Sequence, residues 1–306
     1  MVSNEKIYSI MPEELPLVSI ICISMNHAKY VKQSFDSVVA QTYKNIEIIY
    51  VDNNSLDNSF EISNEIFLNS GLPYKGFKRE KNYSVSENLN FLIKKSSGKY
   101  LAPQSGDDWW DITNIEEKVK YYILNPDYGL IYCNGYTYYE NTNKLTLPNT
   151  SNYKTGYIFD KILLEGIYFP IGYIMRKDIF DVIGLYDEDI MIDDWDIWLR
   201  ILQHYPIGYF NVPLVYYRRH ATTFSFTTNY KEHRIDSLKT LNKYKDHPLY
   251  KKAYIKNTEG YIYGIACRQH DLEVLKEIIR LGKPNWFYFK QVFKFFLKNL
   301  RLYKTS

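Results

Sequence analysis

The chain has 306 residues, of which 45% are hydrophobic, so it can bury a full core and form one large domain plus a smaller region. A formal net charge of +3 disfavours a dedicated nucleic-acid-binding protein, for which a strongly basic face is expected. No uninterrupted apolar run approaches the roughly 20 residues of a membrane span. The cysteines Cys22, Cys133 and Cys267 lie far apart, in neither zinc nor disulfide spacing, and therefore predict a reducing, cytoplasmic location.

The first half of the chain predicts strands that alternate with helices. Apolar runs at residues 17–23 and 46–51 are typical of buried parallel strands, and a third strand is expected at 74–79. Apolar residues at helical spacing follow each strand: Val31, Phe35, Val38 and Val39; Phe60, Ile62 and Ile66; Val85, Leu89, Leu92 and Ile93. This alternation predicts an α/β fold with a mostly parallel central sheet flanked by helices.

The second half of the chain has a looser pattern. Residues 113–116 predict a capping box that starts a helix, and further strands are expected at 129–140 and 171–176. Near Thr227 the sequence changes to a Lys- and Tyr-rich helical pattern. We therefore expect an N-terminal extension (1–15), a principal domain (16–226) and a C-terminal helical region (227–306).

Two acidic clusters, at residues 105–108 and 193–196, suggest where the chemistry occurs. Carboxylates at strand ends are costly to desolvate unless a cation or a proton transfer uses them. Asn26, Asp52 and Asp107 all follow predicted strands, and ligands of such sheets bind beyond the carboxyl ends of the strands. The first cluster predicts a metal and diphosphate site and the second a general base, in an enzyme that transfers an activated group from a nucleotide.

Four segments, at residues 18–57, 105–109, 193–200 and 217–220, resemble in order the motifs of the family 2 glycosyltransferases, inverting enzymes with the GT-A fold. The resemblance covers about residues 17–225. It implies an inverting, hexosyltransferase-type enzyme that moves a sugar from a nucleotide-diphosphate donor to a hydroxyl of a glycan or lipid-linked acceptor. Assembly of a cell-surface polysaccharide is the implied role.

The resemblance also implies a metal site. Asp108 would ligate the cation directly, while Asp107 would hold the ribose or the water shell of the metal. No His/Cys cluster accompanies this pair, so the predicted cation is Mn²⁺ or Mg²⁺. His220 would complete the metal shell and Arg219 would contact the diphosphate. The alternatives are a turn or helix cap before Trp109, a structural histidine and a solvated arginine.

The donor nucleotide is expected beside Asn26, Asp52 and Asn53. A carboxylate at Asp52 can accept from a nucleobase or a ribose hydroxyl, although residues 52–55 also fit an ordinary turn. The family usually has a second acid at the position of Asn53 and often an aromatic residue at that of Met25, so the nucleobase stays open.

Asp194 is the predicted catalytic base, because a positioned carboxylate can take the proton of the attacking hydroxyl. The alternative is a helix N-cap, which is a favoured place for Asp. Asp193 would support the base or contact the acceptor, and Trp195 would either floor the acceptor site or belong to the core.

Two other functions stay open: a non-catalytic nucleotide-sugar-binding protein and a sugar nucleotidyltransferase. The amphipathic pattern at 289–301 fits either peripheral contact with the inner face of the membrane or packing on the domain. Homo-oligomerisation, the sugar and the linkage are not determined by these patterns.

Overall fold

The computed structural model describes residues 14–150, 153–166, 171–190, 193–221, 230–268 and 293. The chain divides into two compact units, which are described separately. The first consists of Met1–Ile162 with Ile167–Phe226, and the second of Leu163–Gly166 with Thr227–Ser306.

Four strands and three helices alternate in the first part of the first unit. The strands are β1 (Val18–Ser24), β2 (Ile46–Asp52), β3 (Tyr74–Lys78) and β4 (Tyr100–Ser105), and the helices between them are α1 (Val31–Val39), α2 (Ser59–Asn69) and α3 (Val85–Lys95). The predicted strands and helices of this region are confirmed to within a few residues. β2 is buried along its whole length, as expected for a strand covered on both faces.

The elements that follow vary more in length and include two long strands, β6 and β9. They are β5 (Trp109–Trp110), α4 (Asn114–Leu124), β6 (Leu130–Tyr139), a 3₁₀ turn (Glu140–Thr142), β7 (Lys144–Thr146), α5 (Phe159–Glu165), β8 (Ile174–Arg176), α6 (Ile179–Ile183), α7 (Asp193–Leu202) and β9 (Ile207–Arg219).

One sheet joins these strands in the order β3-β2-β1-β4-β8-β6-β9-β5, with β7 paired to β6. The pairs β1–β2, β1–β4, β2–β3 and β6–β9 are parallel. β8 lies antiparallel to both β4 and β6, so these two strands point the same way. The carboxyl ends of β1, β2, β4, β6 and β9 therefore share one edge of the sheet, where a ligand site is expected.

The capping box predicted at residues 113–116 is wrong. The Thr113 hydroxyl donates to Asp111 Oδ1 at 2.6 Å instead of capping α4, because Asp111 lies two residues earlier and accepts its proton. A complete capping box occurs at α3, where Ser84 and Glu87 bond reciprocally.

The described part of the second unit contains helices α8 (Tyr230–Asn242) and α9 (Tyr250–Arg268). The amphipathic pattern at 289–301 lies outside the described residues except for Phe293, whose side chain is exposed. Among the described helices, none is both long and apolar enough to cross a membrane.

Candidate active site

Asp52, the last residue of β2, is fully buried and its carboxylate is engaged by the protein itself. The Ser55 backbone N–H donates to Oδ1 at 2.8 Å, and the Ser55 hydroxyl donates to Oδ2 at 2.6 Å. The Ser24 hydroxyl, at the end of β1, donates to Oδ2 at 3.1 Å. Asp52 therefore fastens the loop after β2 to the end of β1.

Asn26 and Asn53 also hold this loop region together. Asn26 adopts a left-handed backbone conformation with φ of 54°, which Asn tolerates better than most residues, and its Oδ1 accepts from the Leu56 N–H at 2.8 Å. The Asn53 amide pairs with the backbone of Tyr83, donating and accepting at 2.9 Å each. Met25 is 38% exposed beside Asn53. A nucleotide here would meet a surface that is already fixed.

Asp107 lies just beyond β4 between two histidines. Its Oδ2 is 3.1 Å from His220 Nε2 and 3.9 Å from His27 Nε2. Burial acts to raise the pKa of this carboxyl, but the hydrogen bond to His220 and the nearby His27 outweigh it and hold the pKa at about 2. The structure thus brings Asp107 and His220, which are 113 residues apart in the sequence, into direct contact.

Asp108 is more deeply buried and faces β9. Its Oδ1 accepts from the Arg218 backbone N–H at 2.8 Å. Burial, reinforced by the neighbouring charge of Asp107, raises the pKa of the Asp108 carboxyl well above its ordinary value. A cation placed beside Asp108 would favour its charged form, which its present surroundings disfavour.

Arg218 fixes the relation between the acidic pair and β9. Its Nε donates to the Asp107 backbone oxygen at 2.7 Å, and its guanidinium also bonds Gln33. The same group lies 4.6 Å from the ring centre of Trp109 and 5.0 Å from that of Tyr30. Arg218 is therefore a buried residue that holds Asp107 and Asp108 in position against β9.

Arg219, the predicted diphosphate contact, lies near enough to Asp108 for its positive charge to act to lower the pKa of that carboxyl. It is half-buried, and its guanidinium lies 4.5 Å from the ring centre of Tyr217. Neighbouring residues of a strand face opposite sides of the sheet, which separates the directions of Arg218 and Arg219.

Tyr30 and His27 complete the surroundings of His220. The ring of Tyr30 packs 4.5 Å from the His220 ring, and its hydroxyl donates to Glu140 at 3.0 Å. His27 Nδ1 is buried and has no hydrogen-bond partner among the described residues. Burial lowers the pKa of His27. No sequence motif predicts a role for His27, although its place three residues after the carboxyl end of β1 puts it at the shared edge.

Asp194 lies in the first turn of α7 and lines a cavity of about 210 Å³. The Tyr173 hydroxyl donates to its Oδ1 at 3.4 Å. Burial raises the pKa of Asp194 to about 7, which suits a group that must accept a proton near neutral pH. The described part of α7 begins at Asp193, and residues 191–192 before it lie outside the described part of the chain, so the N-cap alternative for Asp194 stays untested.

The cavity connects Asp194 with the metal motif through β4. Ser105 lines the same cavity, and its hydroxyl donates to Asp107 Oδ1. Trp195 is fixed by its indole N–H, which donates to the Ile162 backbone oxygen at 2.9 Å. The side chain of Asp193 lies outside the described residues.

The residue types fit a divalent cation in their chemistry, because Asp107 Oδ2 contacts His220 Nε2 and Asp108 is the next residue in the chain. Among the described residues, no group of three or more His, Cys, Asp or Glu side chains is already arranged to hold a metal ion.

A family model and curated relatives both match this sequence to glycosyltransferases. The family model for Glycosyl transferase family 2 matches residues 19–184. An uncharacterized glycosyltransferase of Rickettsia felis is 32% identical over 216 residues, which cover 67% of this chain and 35% of that protein. One of Rickettsia prowazekii is 30% identical over 243 residues, covering 76% of this chain and 70% of that protein. The chain spans between 30% and 59% of the length of the first four relatives.

Comparison with solved structures identifies the fold. The S. aureus TarS fragment 1–349, in complex with UDP-GlcNAc, superposes with a TM-score of 0.67 at 15% identity, covering 86% of this chain and 79% of that one. The mannosyltransferase PcManGT from Pyrobaculum calidifontis, in complex with GDP-Man and Mn²⁺, gives a TM-score of 0.58 at 15% identity, with 94% and 88% covered. These likenesses show the GT-A fold, as predicted.

Proposed function

The chain belongs to glycosyl transferase family 2, and on that premise we propose that it is a metal-dependent, inverting sugar transferase. The donor is a nucleotide-diphosphate sugar, and the acceptor is a hydroxyl of a glycan or a lipid-linked glycan. The observation that carries this proposal is the contact of Asp107 with His220 at the carboxyl edge of the sheet, next to a cavity that Asp194 lines.

When bound, a divalent cation, Mn²⁺ or Mg²⁺, would supply positive charge to the leaving diphosphate. Asp108 and His220 are its proposed ligands, as the sequence predicts. The geometry adds Asp107, because its Oδ2 is the atom that lies against His220 Nε2. Arg218 keeps the two aspartates at the end of β9 by bonding the backbone oxygen of one and the carboxylate of the other.

Asp194 acts as the base for the acceptor hydroxyl. A pKa of about 7 makes the carboxylate available near neutral pH and leaves it basic enough to take a proton in the transition state. If the hydroxyl attacks from the face opposite the nucleotide, a single displacement inverts the anomeric centre. The walls around Asp194 are mainly apolar, which disfavours water as a competing acceptor.

The nucleotide occupies the loops after β1 and β2. Asn26, Asp52 and Asn53 shape this surface, and Arg219 is proposed to reach the diphosphate. Because Asp52 and Asn53 are engaged by serine groups and by the backbone, their contribution is to hold the loop while the exposed Met25 adjoins the base. We propose that transfer occurs on the cytoplasmic side of the membrane, in assembly of a cell-surface polysaccharide.

The test measures nucleotide binding in the full chain with and without Mn²⁺, by thermal shift. A ligand that binds only the folded form raises the melting temperature by mass action. UDP, GDP or their sugars should stabilise the protein in Mn²⁺ and lose most of that effect in EDTA. Asp108→Asn, which keeps an oxygen for the Arg218 N–H, should remove the metal-dependent part.

Asp181→Asn, an exposed aspartate of α6, is the matched control and should behave as the wild type. Equal stabilisation in Mn²⁺ and in EDTA would contradict the metal dependence. Absence of stabilisation by every nucleotide sugar would contradict the proposed function as a whole.

A further inference from the structure

The Tyr173 hydroxyl, which bonds the Asp194 carboxylate, is itself in contact with a second buried hydroxyl. The Tyr186 hydroxyl lies 3.3 Å from that of Tyr173, which in turn donates to Asp194 Oδ1 at 3.4 Å. Both tyrosines are 4% exposed. The three groups thus form a continuous chain, in which Tyr186 reaches the carboxylate through Tyr173.

The charge of the carboxylate sets the direction of this chain. An ionised carboxylate only accepts hydrogen bonds, and a hydroxyl has a single proton to donate. When the Tyr173 proton points to Asp194, the bond between the two hydroxyls therefore runs from Tyr186 to Tyr173. Hydrogen bonds in such a chain strengthen one another, and those to an ionised acceptor are the stronger ones. The chain consequently favours the ionised form of Asp194, in which a base can accept a proton.

Helix α3 holds the backbone of Tyr186. The side-chain amide of Asn90, which is 3% exposed, donates to the Tyr186 backbone oxygen at 3.0 Å and accepts from the Tyr186 backbone N–H at 2.9 Å. Further along the same segment, the Ser86 hydroxyl donates to the Ile190 backbone oxygen at 2.9 Å. These bonds fix the point from which the Tyr186 side chain extends.

Tyr173 is held from a different direction. Its ring packs edge-on against Trp198 of α7, with the ring centres 6.2 Å apart. The titratable groups that the described contacts place along this network are the two tyrosines, Asp194 and Glu188, whose carboxylate accepts from Asn90 at 2.9 Å. The two hydroxyls therefore meet between elements that are fixed separately.

We propose that Tyr186, held by Asn90, is a positioning residue for the base, because its hydroxyl directs the Tyr173 proton toward the Asp194 carboxylate. This inference rests on the proposed function, in which Asp194 is the base. It adds a residue that acts on the base through Tyr173.

Carbon-13 NMR of the full chain, labelled at the aspartate carboxyl carbons, tests this inference without any donor or acceptor. The signal of Asp194 is identified by its loss in Asp194→Asn. We expect Tyr186→Phe to raise the titration midpoint of Asp194 by roughly 0.2–0.5 pH unit, because the ionised form loses support from the chain. In a Tyr173→Phe background the same substitution should change the midpoint by less than about 0.1 pH unit, because the path to Asp194 is already broken.

Tyr43→Phe is the matched control. Tyr43 is also 4% exposed, and its hydroxyl donates to the Pro16 backbone oxygen at 2.5 Å, outside this chain. Its loss should leave the midpoint of Asp194 unchanged. Asn90→Ala is a second variant, which keeps both hydroxyls but removes the anchor of Tyr186, and it should raise the midpoint in the same direction as Tyr186→Phe.

A midpoint in Tyr186→Phe that does not rise by at least about 0.1 pH unit would overturn the inference, and so would a rise that persists in the Tyr173→Phe background. The proposed function is judged separately, because the titration needs no nucleotide sugar. Absence of stabilisation by every nucleotide sugar would contradict that function whatever the tyrosine variants show.

Discussion

Two acidic sites lie on either side of β1 at the same edge of the sheet, and they differ in how their charges are balanced. Asp52, at the end of β2, accepts hydrogen bonds from Ser24 and Ser55 and holds a loop. Asp107 and Asp108, beyond β4, stand side by side, and burial with mutual repulsion raises the pKa of Asp108 while His220 helps keep Asp107 ionised.

The difference distinguishes a carboxylate whose hydrogen-bond partners lie within the protein from carboxylates that we propose to bind a cation. A buried carboxylate with a full set of donors stabilises the fold and has little left to offer a ligand. Two adjacent buried carboxylates carry a cost that a bound cation would remove. Burial alone therefore does not indicate a ligand site, and the proposed cation site rests on the unbalanced charge at the shared edge of the strands.

Asp194 is a third acidic residue to compare with Asp52, and it lines the cavity beside β4. Its described contact is one long hydrogen bond from Tyr173, and burial raises its pKa to about 7. Asp194 and Asp52 thus represent opposite cases, since the carboxylate of Asp194 accepts one long described hydrogen bond and that of Asp52 accepts several short ones.

The largest effect is expected for Asp194→Asn. Loss of the general base should lower the transfer rate by roughly 10²–10⁴-fold while nucleotide-sugar binding in Mn²⁺ stays close to that of the wild type. Initial rates of sugar transfer and calorimetry on the same preparation measure the two quantities.

Asp181→Asn is the control, since this exposed aspartate lies outside the cavity that Asp194 lines. A rate for Asp194→Asn within twofold of the wild type would exclude Asp194 as the base. Melting temperatures of both variants near the wild-type value would show that the loss is chemical.

A smaller effect is expected from pH. The base works in its ionised form, so the transfer rate at saturating donor should fall about tenfold per pH unit below the Asp194 pKa of about 7 and level off above it. Tyr173→Phe removes a hydrogen bond that lowers this pKa, so the midpoint should move to higher pH.

The measurement is the rate of transfer between pH 5.5 and 8.5, with donor binding followed over the same range. A flat profile would mean that Asp194 is ionised throughout and that its environment is more polar than the cavity suggests.

Much of the fold was accessible from the sequence because its signals are local. The apolar run of β2 and the helical spacing of Val31, Phe35 and Val38 predict elements that the structure confirms. The predicted capping box is absent because the Thr113 side chain bonds elsewhere: its hydroxyl donates to Asp111 and accepts no hydrogen bond from the first turn of α4.

The candidate site could be predicted from the sequence only in part. The sequence places Asp52 and Asp107 at strand ends, and the parallel order of β2, β1 and β4 brings those ends to one edge. Which donors each carboxylate receives depends on contacts between distant segments, such as Asp107 with His220 and with His27. Nothing local to His27 distinguishes it from a surface histidine, so its role depends on tertiary structure.

The smallest effect on transfer, and the clearest on stability, is expected for Asp52→Asn. The amide keeps one acceptor oxygen but presents an NH₂ group to the Ser24 and Ser55 donors, so the free energy of unfolding should fall by roughly 1–3 kcal/mol. The melting temperature should fall by roughly 2–10 °C, while the donor affinity of the folded protein changes by less than about threefold.

Asp36→Asn, at a half-exposed position of α1, is the control and should leave the melting temperature unchanged. If Asp52→Asn instead weakened nucleotide binding strongly at unchanged stability, Asp52 would be a direct ligand of the nucleotide, and its filled hydrogen-bond shell would have to open when the donor binds.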